Sequence, residues 1–96
     1  MPRAFECVTG TYTGTGSAQT VTLGFKPSVL VTVNETDGDV VNVKILGSAD
    51  ATHISIAAAA AAVASDGYTL TTTGFTAGSD ATCSESAKVF RYFALA

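Results

Sequence analysis

Charge is what this chain has least of. Charged residues make up 14% of its 96 positions, against about 25% in an ordinary globular domain. The five basic residues, Arg3, Lys26, Lys44, Lys88 and Arg91, are scattered and form no stripe for a phosphate backbone, and the net charge is −3. Nucleic-acid binding is therefore not expected. Tryptophan is absent, and histidine occurs once, at His53. A single histidine with no sequence-level link to a serine or cysteine gives no nucleophile–base pair, so an enzyme is not expected. The two cysteines, Cys7 and Cys83, form no CxxC pair and make no familiar zinc spacing with His53; no metal or other cofactor is expected. A bond between them and two small buried thiols are both open readings. No apolar run is long and apolar enough to span a bilayer. Met1-Pro2-Arg3 leads straight into a strand-like segment with no apolar signal region, so secretion by the standard route is not expected.

What is present is apolar residues, 47% of the chain, set among threonine, serine and glycine. Such a surface suits a protein assembled against neighbours, and equally a small Thr-rich β-domain standing alone. The length fits one domain, residues 1–96, with one modest core. Thr20 to Val33 organises the rest. Val21, Leu23 and Phe25 alternate with Thr20, Thr22 and Gly24, and Val29, Val31 and Val33 resume the alternation after a bend at Pro27. Before it, residues 4–13 alternate loosely, with Phe5, Cys7 and Val8 pointing inward and Gly10 marking a bulge or a close backbone approach. Gly14-Thr15-Gly16-Ser17 is a turn; no helix start or Lys-Ser/Thr follows to make it a phosphate loop.

Asp37-Gly38 between β-like segments signals a hairpin, returning through Val41, Val43 and Ile45 on one face with Asn42 and Lys44 on the other. Glu35, Asp37 and Asp39 lack the remaining ligands of a calcium loop. Ala57 to Ala62 is the one helix candidate, near 56–65, with Ser55 as N-cap and Gly67 past its end; continuation of the His-Ile-Ser-Ile alternation is the extended alternative. Its methyl surface would let another backbone approach, so Ala57, Ala60 and Ala61 are candidate interface residues. Residues 81–86 are expected to be a short strand. Lys88 to Leu95 closes the chain with Phe90 and Tyr92 on one face and Val89, Phe93 and Leu95 on the other, a pattern expected of a strand covered on both sides. Arg91 lies on the Val89/Phe93 face and needs a solvent-exposed rim position or a partner, a carboxylate from a neighbouring chain; Arg91 and Phe93 complete the candidate interface. The fold class is all-β, a small antiparallel sandwich or jelly-roll-like barrel of about six to eight strands.

Three segments carry a resemblance: Gly10-Thr11-Tyr12-Thr13-Gly14-Thr15-Gly16 leading to Leu23-Gly24-Phe25-Lys26-Pro27-Ser28-Val29; Thr73-Gly74-Phe75-Thr76-Ala77-Gly78; and Phe90-Arg91-Tyr92-Phe93-Ala94. Together the chain resembles a group of small tailed-bacteriophage virion domains. The match fades between about residues 34 and 64, and Cys83-Ser84 stands where the group often has Val-Asn. The resemblance implies a capsid decoration (cement) protein on the exterior of a phage head. It would be made in the host cytoplasm, bind the major capsid protein and itself, commonly as a homotrimer, and have no membrane or nucleic-acid partner. The alternative it implies is a tail-associated or fibre-tip module binding a host receptor or glycan.

Overall fold

The computed structural model describes residues 7–57 and 60–96. Nine strands and one helical turn follow in order: β1 Cys7–Thr13, β2 Gln19–Thr22, β3 Val29–Asn34, β4 Val41–Ile45, β5 His53–Ile56, β6 Ala60–Val63, β7 Tyr68–Thr71, β8 Gly74–Ala77, α1 Ala81–Ser84 and β9 Val89–Leu95. They form two antiparallel sheets. The larger has the order β1-β9-β3-β4-β5-β6 and the smaller β2-β8-β7. The all-β sandwich-like class read from the sequence is the fold, with nine strands among the described residues where six to eight were expected.

The Thr20–Val33 stretch supplies one strand to each sheet. Its bend carries the chain across, with Gly24 at φ +91° and Pro27 buried. The amides of Leu23 and Gly24 both donate to the Thr73 carbonyl, at 2.7 and 2.9 Å, which ties the crossing to the β7–β8 hairpin. The Asp37-Gly38 hairpin joins β3 to β4 in the register Val31↔Val43. Gly38 takes φ +68°, which a side chain would strain, and Asn34 holds the loop by accepting from the Asp37 amide at 3.0 Å.

The core lies between the sheets. Tyr12, Leu30, Tyr68, Leu70, Phe75, Phe90 and Tyr92 fill it, with Ala77, Cys83 and Ala94. Phe75, from the central strand of the small sheet, meets Tyr12, Tyr68 and Tyr92 edge-on with ring centres 5.4–5.9 Å apart. Tyr12 stacks on Phe90 at 5.3 Å. This favours the edge-to-face and stacked geometries of the aromatic quadrupole over random packing. Gly10 faces Tyr92 across the β1–β9 ladder, and a β-carbon there would sit 2.6 Å from the Tyr92 oxygen. The close approach anticipated at Gly10 is thus to an aromatic ring, not a bulge.

Two expectations fail here, for one reason. The described part of the Ala-rich segment near 56–65 is not a helix. Ala60–Val63 is a strand paired antiparallel with β5, with Ile54 opposite Ala62 and Ser55 opposite Ala61. Ala58 and Ala59 lie outside the described residues. An isolated ten-residue alanine helix is marginal, whereas the open side of β5 offers backbone partners already in place. Residues 81–84 are helical instead of a strand. Asp80 caps them, its carboxylate accepting from the Thr82 amide at 3.0 Å. In both places non-local or capping hydrogen bonds outweigh propensity. Cys7 is exposed rather than inward, and Val8 packs on the core; Phe5 lies outside the described residues. Cys7 and Cys83 are both free.

Candidate interaction face

The larger sheet has an inner face toward the core and an outer face that no described element covers. Register assigns every residue. The inner row through the middle of the sheet is Gly10, Tyr92, Thr32, Asn42, Ser55 and Ala61. The outer row beside it is Thr9, Phe93, Val31, Val43, Ile54 and Ala62. A second outer row runs Thr11, Arg91, Val33, Val41, Ile56 and Ala60, and a third Cys7, Leu95, Val29 and Ile45. On β3, β4 and β5 the alternation seen in the sequence is therefore real, but its sense is inverted. The valines and isoleucines face out, and Thr32, Asn34, Asn42, Lys44, His53 and Ser55 are buried.

The polar inner layer is held by a directed hydrogen-bond chain. Tyr12 Oη donates to the Cys83 carbonyl at 2.8 Å, so it must accept from Tyr68 Oη at 2.6 Å. Tyr68 in turn accepts from Thr32 Oγ1 at 2.7 Å, and Thr32 accepts from Asn42 Nδ2 at 3.0 Å. The second Asn42 N–H reaches the Thr82 carbonyl at 2.7 Å. Burial, the neighbouring phenol and the Cys83 thiol push the Tyr12 hydroxyl far above its ordinary range. Burial does the same to Tyr68, so both stay protonated as donors. Burial, with Asp80 nearby, pushes the Cys83 thiol up to about 12; it donates to backbone carbonyls as a structural group, not a nucleophile.

His53 stands at the end of this layer, 4% exposed, its ring 4.9 Å from that of Tyr68. Thr82 Oγ1 donates to the Asp80 carboxylate, so His53 Nε2 donates to Thr82, at 2.9 Å. Nδ1 has no protein partner. Burial lowers the imidazole to about 4, against the pull of Asp80 and with the push of Lys44. Lys44, also buried, donates to the Ala49 carbonyl and to Thr52 Oγ1 at 3.3 Å, and burial lowers its pKa. A neutral histidine and an ammonium clothed in oxygens end the polar layer. It presents no cluster of metal ligands among the described residues.

The outer face is the opposite. Ile45 is 52% exposed, Ile54 44% and Phe93 41%, with Val41 and Ile56 also exposed and Val29, Val31, Val33 and Val43 half-buried. It carries two shallow hollows. One of about 270 Å³ lies by Val43, Ile45, Ile54 and Ala62, and one of about 310 Å³ by Thr9, Val31, Val33 and Phe93. Among the described residues its charge is one ion pair in the second outer row, between Thr11 and Val33. There Arg91 Nε and Nη2 grip Glu35 Oε2 and Oε1 of the same chain at 2.8 and 3.1 Å. That pairing holds the Arg91 pKa above its usual value.

The candidate interface residues sort accordingly. Phe93, Arg91 and Ala60 lie on the outer face, Arg91 and Ala60 in its second row. Ala57 is exposed in the bend after β5, and Ala61 belongs to the inner side opposite Ser55, exposed because β6 is the sheet's edge. The sequence reading missed the centre of the face, Val31, Val43 and Ile54. The signal was there in three successive strands with apolar alternate positions, but the alternate polar residues were not read as a second, buried layer. Comparison with known proteins gives no further identification: no family model, curated protein or solved structure matches the chain.

Proposed function

We propose that this chain is a structural virion protein, a decoration protein bound to the exterior of a tailed-bacteriophage head, where it strengthens contacts between major capsid subunits. The observation that carries its role as an assembly component is the outer face of the six-stranded sheet. Monomers seldom leave a contiguous apolar surface of this breadth bare, and larger ones mark interaction sites. The virion setting rests on the resemblance. Its residues map to the bend between the sheets, to Phe75 on β8, and to the inward Phe90, Tyr92 and Ala94 of β9. These are core and turn positions, so the resemblance speaks to the fold, while the outer face speaks to what is done with it. Self-association accompanies this role, and the resemblance implies three copies.

The test is the number of copies of the chain per major capsid protein in purified particles, by quantitative mass spectrometry. A ratio near one, or a simple fraction of one, is expected of a protein tiling the shell. A handful of copies per particle would replace this reading with the tail or fibre-tip module. Absence from particles would remove the virion role altogether.

A further inference from the structure

We infer that the outer face of the six-stranded sheet is covered by the same face of a second copy of this chain, sheet against sheet about a twofold axis. The first argument is area. Six strands of four to seven residues, at about 3.4 Å per residue and 4.8 Å per strand, give a flat footprint of roughly 500 Å². Two such faces in contact bury about 1,000 Å² before corrugation is counted, which meets the lower threshold of a biological interface.

The second argument is chemistry. Between Phe93 and Ala62 the middle row is apolar, and the one charged pair on the face among the described residues, Arg91 with Glu35, lies in the next row beside Val33 and is already satisfied within the chain. An apolar face with no unmet charge has nothing to offer a charged partner and is complementary to another like itself. A twofold contact is self-complementary by construction. The third argument is shape. Alternate β-branched residues on a twisted sheet pack face to face at about 10 Å with strands about 30° apart, as the two sheets of a sandwich do. A twofold stack lets the whole breadth of one face meet the other, whereas around a threefold axis each face meets each neighbour over only part of its breadth, so full coverage of the face favours two copies over the three that the resemblance implies.

This inference rests on the reading of the face as an assembly surface, and it fails separately from the virion role. A dimer absent from particles would leave it standing, and a monomer abundant on particles would remove it alone. The experiment is light scattering coupled to size exclusion over a concentration series. It compares the wild-type chain, Ile54→Lys and Phe93→Gln at the outer face, and Thr22→Lys on the exposed side of the small sheet. The expected result is two chains per particle for wild type and Thr22→Lys. Ile54→Lys and Phe93→Gln, checked as folded by circular dichroism, should each weaken the dimer at least tenfold. A wild-type monomer, a trimer, or a dimer unmoved by both outer-face variants would overturn it.

Discussion

At the scale of single residues, His53 is the clearest handle on the polar layer. Its folded-state pKa, about 4, lies below its unfolded value of 6.5. Between those values the unfolded chain binds more protons, so stability rises with pH. The contribution is fully present above pH 6.5 and is lost as pH falls toward 4, on the order of 3 kcal/mol in all. Thermal melts across that window should show a falling midpoint for wild type and a flatter profile for His53→Gln; parallel profiles would assign the acid sensitivity to other groups. Tyr68→Phe tests the same layer from its centre. Removing that hydroxyl leaves Tyr12 and Thr32 each one partner short, and a loss of about 1–3 kcal/mol in chemical denaturation is expected. Gly10→Val should cost at least as much, because its side chain must displace the buried Tyr92 ring.

Between residue and element lies the question of what the sequence made legible. The alternation of β3, β4 and β9 is plain in the order of residues, as is the Asp37-Gly38 hairpin. Which alternate set faces the core is not. Thr32 and Asn42 can be buried only because the Tyr68 hydroxyl and the Thr82 carbonyl arrive from elsewhere to accept from them. No local pattern records that meeting. Arg91 is similar: Glu35, its partner, is 56 residues away. The alanine run misleads for the converse reason, since its intrinsic preference is helical while its pairing with β5 is settled by a neighbour. At this scale the prediction concerns β6. Its four residues carry no charge or proline to protect the sheet edge. Ala61→Pro removes a donor from the β5–β6 ladder and should expose the backbone of Ile54–Ile56 to hydrogen exchange, while β1 and β9 remain protected. Unchanged exchange in β5 would mean that β6 does not seal that strand.

Over the whole molecule, the two faces of one sheet divide the work. The inner face is tied to the small sheet by aromatic packing and a polar chain through Tyr68, and the fold depends on it. The outer face contributes little to folding, because Val41, Ile45, Ile54, Ile56 and Phe93 stay substantially in water. Its apolar area becomes stabilising only on contact with another surface, at roughly 25 cal/mol for each Å² removed from water. Substitutions on the two faces should therefore separate cleanly: inner ones lower the melting point, outer ones change association.

The most direct test of that division is the occupancy of Ile54→Lys relative to wild type on purified particles, measured alongside the melting point of the isolated variant. A fall in occupancy of tenfold or more, with a melting point close to that of wild type, is the predicted result. Full occupancy by the variant, or absence of the wild-type chain from particles, would contradict the claim that this face assembles a virion protein.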